Sequence, residues 1–111
     1  MLKEAAGIQR VVLKTGRTDL RRGIDGLKAI ITLNGMDPLE KGTLFLFCGR
    51  RNDRIRGLTF EGDGYLLLTK RLSGENRFQW PRNEDDLKKI TMEQYRNLME
   101  GVAVEGSIRE V

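Results

Sequence analysis

The most constraining feature of this sequence is residues 43–72, where three apolar runs are separated by two turns. The first run, 44–48, is apolar at every position, a pattern typical of a strand that is covered on both faces. The turn at 49–54 carries three arginines, and the turn at 61–64 carries two glycines. We therefore expect three consecutive antiparallel strands, with the first strand at the centre of the core.

The residues before this stretch predict a strand followed by a helix. Residues 8–14 alternate loosely around three apolar positions, as in a short strand. Four apolar residues then recur at helical spacing: Leu20, Ile24, Leu27 and Ile31. They predict a helix over residues 19–33, with Thr18 or Asp19 as its N-cap. Gly23 and Gly26 fall inside this helix at a cost of about 1 kcal/mol each, so we expect either a close packing contact or an irregular first turn.

After the central stretch, the sequence predicts a further strand and a short helical turn. Residues 77–80 are expected to return as a fourth strand of the meander, which Pro81 ends. Asn83 is expected to cap a helical turn over residues 84–89, whose acidic residues lie at its N-terminal end.

The C-terminal part predicts a second helix over residues 92–100, because Thr91 and Gln94 match a capping box and an apolar stripe follows. The tail from about residue 103 is expected to fray. The predicted fold class is α+β: a four- to five-stranded, mainly antiparallel sheet with one N-terminal and one C-terminal helix packed on it. At 111 residues, a single compact domain is expected over residues 1–111.

The composition argues against several classes of chemistry. Histidine is absent, which removes the usual general base and the commonest metal ligand. The single cysteine, Cys48, lies in the most apolar run and is predicted to be a core residue rather than a nucleophile. We expect no cofactor, no bound metal and no small-molecule substrate. No signal peptide and no apolar run of about 18 residues occurs, so a soluble cytoplasmic protein without a membrane partner is predicted.

The formal charge of +4 is unevenly placed along the chain. Residues 1–58 hold 12 Lys and Arg against 6 Asp and Glu, whereas residues 59–111 hold 8 against 10. A basic first half favours binding to a polyanion, and an acidic second half opposes it. A polarised molecule is one interpretation, and an ordinary, slightly basic surface is the other.

Two arginine clusters are the candidate binding residues. The first comprises Arg50, Arg51, Arg54 and Arg56 in and after the turn at 49–54, and planar guanidinium groups suit phosphate oxygens. The second comprises Arg17, Arg21 and Arg22 beside the predicted helix start, where backbone amides also attract anions. The alternatives are a solvated hairpin tip for the first cluster and a salt-bridge network, with Arg21 paired to Asp25, for the second.

Two further groups of residues have competing interpretations. Glu61 and Asp63 have the carboxylates of a magnesium-dependent nuclease, but the alternation of acid and glycine is also what a tight turn requires. Trp80, followed closely by Arg82, is a candidate for stacking on a nucleic-acid base. Trp80 is the only tryptophan in the sequence, and a role in packing at the sheet edge is the favoured alternative.

A further signal lies in six short segments, residues 18–27, 44–54, 61–65, 70–72, 78–82 and 94–96. Together they resemble the TnpB accessory proteins of the insertion-sequence-sixty-six family of bacterial transposable elements. The resemblance spans residues 8–101, with the segments in the family's order and at similar spacing. It implies an accessory role in DNA transposition beside a larger, separately encoded transposase, to which the strand-cutting site is attributed.

The sequence departs from this pattern at Thr59 and Thr69, where relatives often carry aromatic residues, and at Phe60, where tryptophan is usual. These differences disfavour a model in which the outer sheet face stacks on bases. We therefore expect a non-catalytic accessory protein whose arginines contact element-end DNA, with the transposase of the same element as its partner. The alternatives are a protein-interaction module that never touches DNA and, less favoured, a metal-dependent nuclease.

Overall fold

The computed structural model describes residues 7–82 and 86–100. In chain order the elements are β1 (Arg10–Lys14), α1 (Ile24–Leu33), β2 (Thr43–Cys48), β3 (Arg54–Phe60), β4 (Tyr65–Arg71), β5 (Leu87–Ile90) and α2 (Met92–Met99). The strands form one sheet in the order β4-β3-β2-β1-β5. The predicted α+β class and the antiparallel run of β2, β3 and β4 are confirmed. Within the described ranges, no helix has the length and apolarity needed to cross a bilayer.

The pair β1 and β2 is parallel, with Arg10 opposite Thr43 and Leu13 opposite Leu46. Parallel neighbours require a crossover connection, and α1 provides it. The C-terminal ends of both strands therefore lie next to each other, where the chain leaves β1 toward α1 and leaves β2 toward β3. This arrangement brings together segments that are about thirty residues apart in sequence.

Strand β2 is buried at all six positions, as its apolar sequence predicts. Two of its residues, Phe45 and Phe47, lie in a cluster with Leu27 and Ile31 of α1. Its alternate residues Leu44, Leu46 and Cys48 lie in a second cluster on the opposite face. The sheet is thus a middle layer, and β2 is covered from both sides.

The second face is covered by α2 and by the segment 72–82 that crosses from β4 to β5. Tyr95 and Leu98 of α2 and Phe78 and Trp80 of the segment are buried there. The capping box of α2 is confirmed: the Gln94 N–H donates to Thr91 Oγ1 at 3.0 Å, and the Thr91 N–H donates to Gln94 Oε1 at 2.8 Å. The predicted stripe member at position 102 and the fraying tail lie outside the described residues.

The prediction of a fourth meander strand at residues 77–80 is wrong. This segment has no strand pairing; instead, the Phe78 N–H donates to the Asn52 carbonyl at 2.6 Å, which holds the segment against the turn between β2 and β3. The fifth strand lies at the other edge of the sheet, where β5 pairs antiparallel with β1. The chain therefore crosses the sheet face rather than extending the meander.

The predicted helical turn over 84–89 is also wrong where it can be compared, because Leu87–Ile90 is a strand. The proposed cap Asn83 and its neighbour Glu84 lie outside the described residues. Leu87 packs on the α1 face and Ile90 on the α2 face. Opposite faces are expected because the two residues are three positions apart, and side chains alternate along a strand. Backbone pairing with the otherwise open edge of β1 overrides the local helical pattern.

Helix α1 begins at Ile24, five residues later than predicted, and neither Thr18 nor Asp19 caps it. The N-cap is Gly23, whose backbone is extended and which has no side-chain cap. The Thr18 N–H donates to the Cys48 carbonyl at 2.9 Å, which anchors this part of the chain at the end of β2, and the Arg22 N–H donates to the Asp19 carbonyl at 3.2 Å in a separate turn before the helix begins. The expected close contact exists at Gly26, where a Cβ would lie 2.9 Å from the Cβ of Arg22.

Candidate functional site

The turn between β2 and β3, residues 49–54, has a fixed backbone, and we call it the arginine loop. The Gly49 N–H donates to the Arg54 carbonyl at 3.0 Å, and the Asn52 N–H donates to the Gly49 carbonyl at 3.1 Å. Asn52 has a φ of 60°, a left-handed conformation that asparagine tolerates better than most residues. The loop presents Arg50 and Arg51 to solvent, while these two backbone bonds close the turn.

The arginine loop is also held from the side of the sheet that faces α2. The Leu72 N–H donates to the Asp53 carbonyl at 2.7 Å, beside the contact between Phe78 and Asn52. The Cys48 thiol lies 3.7 Å from Asn52 Oδ1, and Asn52 is buried. The backbone of this loop is therefore held by the adjacent end of β2 and by the segment 72–82, whereas the side chains of Arg50 and Arg51 remain exposed.

The segment 17–22, which leaves β1, lies directly beside the arginine loop. The backbone bond between Thr18 and Cys48 joins the two, and the Leu20 side chain packs against Gly49. A Cβ at position 49 would lie 3.0 Å from Leu20 Cδ1, so glycine at this position permits the close approach. The parallel pairing of β1 and β2 is what places these two arginine-bearing segments side by side.

Between these segments lies a groove of about 800 Å³, which we call the arginine groove. Its lining includes seven arginines and two aspartates: Arg17, Arg21, Arg50, Arg51, Arg54, Arg56, Arg71, Asp19 and Asp53. Five of the six predicted binding residues line it. The sixth, Arg22, contributes its carbonyl, which accepts a hydrogen bond from Arg56 Nη1 at 3.4 Å. The structure therefore brings the two predicted clusters into one concave surface.

Arg71 of β4 lines the groove and was missed by the sequence analysis. It lies directly opposite Arg54 in the register of β3 and β4. Counting outward from the turn at 61–64 pairs Phe60 with Tyr65 and thus Arg54 with Arg71, so the signal was present in the sequence. Like charges that face each other across strands destabilise a sheet, and an anion bound between them would offset this repulsion.

Asp19 partly neutralises the groove through Arg21. Its Oδ1 and Oδ2 accept bonds from Arg21 Nε and Nη2, each at 2.9 Å. These side-chain bonds, with a further bond from the Arg21 backbone N–H, lower the pKa of Asp19 to about 2. The predicted pair between Arg21 and Asp25 is wrong, because Arg21 turns to Asp19 and Asp25 lies 4.0 Å from Lys28 Nζ. Among the described residues, the arginines at 50, 51, 54 and 56 form no such ion pair.

Trp80 does not line the groove. Its side chain lies in the cluster under α2 with only 5% of the residue exposed, and its indole N–H donates to the Lys14 carbonyl at 2.8 Å. A ring this deeply buried has no face available to a base. The packing interpretation therefore accounts for Trp80, and we do not include it in the proposed interface.

Glu61 and Asp63 lie in the exposed turn between β3 and β4, at the opposite end of β3 from the groove. The Glu61 N–H donates to the Gly64 carbonyl at 2.8 Å, and Gly62 has a φ of 99°, so the glycine serves the turn. In the part of the chain that the structure describes, no three acidic or cysteine side chains form a cluster that could hold a metal ion.

Cys48 is completely buried, and this burial raises the pKa of its thiol to about 12. A thiol with such a pKa stays protonated at neutral pH and is a poor nucleophile. The side chain therefore has the core role that the apolar run predicts.

The sequence is similar to that of other bacterial proteins. The chain is 35% identical over 97 residues to the uncharacterized protein y4hO of Sinorhizobium fredii, covering 84% of this chain and 80% of that one. It is 30% identical over 93 residues to the uncharacterized protein y4jC of the same organism, covering 84% and 79%. No solved structure matches the chain. The family model described as IS66 Orf2 like protein matches residues 9–108, and the chain therefore belongs to the IS66 Orf2-like family of insertion-sequence proteins.

Proposed function

We propose that this protein is a non-catalytic accessory factor in transposition that binds DNA phosphates through the arginine groove. The observation that carries the proposal is the convergence of seven arginines from separate chain segments on one groove with two aspartates. Membership of the IS66 Orf2-like family supports the link to transposition. The partner in this role is the transposase of the same element.

The chemistry of the groove favours backbone phosphates over base edges. Guanidinium groups form paired, charge-assisted hydrogen bonds with phosphate oxygens. Contacts of this kind position a protein on DNA without reading its sequence. We therefore expect binding to element-end DNA and to unrelated DNA of the same length to be similar in affinity and strongly dependent on salt.

The test is a fluorescence anisotropy titration with duplex DNA at several salt concentrations. The variant replaces Arg50, Arg51 and Arg54 by alanine. If each arginine contacts one phosphate, the logarithmic salt slope falls by about 0.9 per arginine, and each lost contact costs about fivefold in affinity near 0.15 M salt. We expect binding on the order of 100-fold weaker for the triple variant.

A matched control variant removes the same three positive charges in total but leaves the groove intact. Lys41, Lys89 and Arg96 are exposed and do not line the groove. Their replacement by alanine should reduce affinity far less, because these residues lie outside the proposed contact surface. Equal losses for the two triple variants would show that net charge alone drives binding, and an unchanged affinity for the groove variant would refute the proposal.

A second candidate is a protein-interaction module whose groove binds acidic side chains of the transposase. The bidentate contact between Arg21 and Asp19 supports it, because one arginine of the groove already binds a carboxylate. Co-purification with the transposase from a nuclease-treated lysate, without a DNA shift by the isolated protein, is the result expected for this candidate. Loss of that co-purification in the groove variant would assign the contact to the arginines.

A further inference from the structure

Thr18 has an unusual environment within the arginine groove. Only 7% of the residue is exposed, and its Oγ1 is buried without a hydrogen-bond partner among the described residues. Its backbone is fixed by the bond to the Cys48 carbonyl, and the residue is part of the lining of the groove. A buried hydroxyl without a partner is costly, and a ligand oxygen would offset this cost.

Arg56 has a similar unpartnered donor in the same groove. Its Nε is buried and has no hydrogen-bond partner within the described part of the chain. The other side of the guanidinium is oriented, because Nη1 donates to the Arg22 carbonyl at 3.4 Å. The residue lies on β3 between Phe47 of β2 and Thr69 of β4 in the sheet register, so its backbone is fixed by both neighbouring strands.

The two donors select for an anion with several oxygens. A hydroxyl and a guanidinium Nε–H can both donate to one such group, and the positively charged guanidinium, which has no acceptor, disfavours a cation. The facing pair Arg54 and Arg71 adds positive charge to the same groove. A tetrahedral phosphate can accept bonds from Thr18 and Arg56 while its remaining oxygens face the exposed arginines, whereas a carboxylate has only two oxygens to share.

We propose that Thr18 and Arg56 form a discrete site for a single phosphate group within the arginine groove. The inference rests on the proposed function in that the phosphate belongs to DNA. It goes further by separating one anchored phosphate from the contacts made by the exposed arginines. The source of the phosphate is either an internal phosphodiester or a terminal 5′-phosphate, and the two share the same recognition chemistry.

The first test uses inorganic phosphate, with chloride at matched ionic strength as the reference. NMR of the Arg56 Nε–H should show a saturable shift with phosphate in the wild-type protein and in Thr18→Ser, which keeps the hydroxyl. In Thr18→Val, which has nearly the same shape without the hydroxyl, phosphate binding should weaken by about tenfold. The absence of a phosphate-specific shift, or equal binding by the valine and serine variants, would overturn the inference.

The second test uses duplex DNA with either a 5′-phosphate or a 5′-hydroxyl end. Thr18→Val should weaken binding about tenfold without changing the salt slope, since a neutral group is lost and the number of released counterions stays the same. Tighter binding of the phosphorylated end by the wild type assigns the site to a terminal phosphate, and equal binding of both ends assigns it to a phosphodiester. Unchanged DNA affinity in Thr18→Val would contradict the site.

The two tests separate this inference from the proposed function. If inorganic phosphate shifts Arg56 Nε–H as expected and neither duplex binds, the phosphate site stands and the DNA-binding function fails. Arg56→Lys gives a second variant in case Thr18→Val does not fold: it keeps the charge, loses the Nε–H and should also weaken phosphate binding by about tenfold. Wild-type phosphate affinity in a folded Arg56→Lys protein would count against the site.

Discussion

Replacing Trp80 by phenylalanine should destabilise the protein and leave DNA binding unchanged. The indole N–H donates to the Lys14 carbonyl at 2.8 Å, which ties the segment 72–82 to β1. The ring packs in the cluster between the sheet and α2 with 5% of the residue exposed. Phenylalanine removes the donor and part of the ring but keeps most of the packing volume.

The expected loss follows from these two contacts. A buried acceptor that loses its donor costs about 1–3 kcal/mol. The lost apolar contact, a few tens of Å² at about 25 cal/mol per Å², adds about 1 kcal/mol. We therefore expect the free energy of unfolding to fall by about 2–4 kcal/mol. For a chain of this size, the melting temperature should fall by roughly 10–20 °C.

Urea unfolding followed by far-UV circular dichroism measures this loss, because Trp80 is the only tryptophan and its fluorescence is absent from the variant. DNA affinity is measured well below the melting temperature, and Trp80→Leu extends that measurement to a side chain with no aromatic ring. Stacking on a base would contribute about 1–3 kcal/mol to binding. A variant with wild-type stability and at least tenfold weaker DNA binding would refute the structural role of Trp80.

Three further changes test individual contacts. The pKa of Asp19 is lowered from 3.8 to about 2, chiefly by the side-chain bond from Arg21. The stability that this bond contributes is therefore fully present above pH 3.8 and is lost as the pH falls through about 2. NMR titration of the carboxyl group should show this pKa, and in Arg21→Ala the pKa should rise toward 3.8; an unchanged pKa would rule out the bond. The Cys48 thiol, with its pKa raised to about 12 by burial, should resist a thiol reagent at pH 8 and react only on unfolding, and rapid labelling of the native protein would disprove its burial. Thr91→Ala removes the capping box of α2 and should cost about 1 kcal/mol in urea unfolding, most of which should also be lost in Gln94→Ala if the two bonds act together.

The parts of the fold that were predicted correctly depend on local patterns. The apolar run in β2, the turns on either side of β3 and the capping box of α2 are each visible within a few neighbouring residues. The strand β5 was missed because Asn83, followed by acidic residues and then by lysines, matches the cap and the charge distribution of a helix, whereas Leu87–Ile90 is a strand. Only the free edge of β1 decides between the two, and sequence alone does not show that edge.

The candidate site likewise has features that local sequence patterns predict and features that depend on contacts between distant residues. The arginine loop was identified from its composition, and the burial of Cys48 from its apolar neighbours. The meeting of Arg21 with the arginine loop depends on the parallel pairing of β1 and β2, which no local pattern reveals. The late start of α1 likewise follows from the bond between Thr18 and Cys48, a contact across 30 positions of the chain.

That bond also links the groove to the folding equilibrium. The segment at Thr18 and the loop after Cys48 are adjacent only while β1 remains docked beside β2, so the groove exists in the native state and not in the unfolded chain. Any ligand of the groove must then raise the free energy of unfolding, by about 2.7 kcal/mol when its concentration is 100 times its dissociation constant. Thermal denaturation of the wild type and of the variant with Arg50, Arg51 and Arg54 replaced by alanine can therefore report which phosphate compounds bind the groove, even before a biological partner has been isolated.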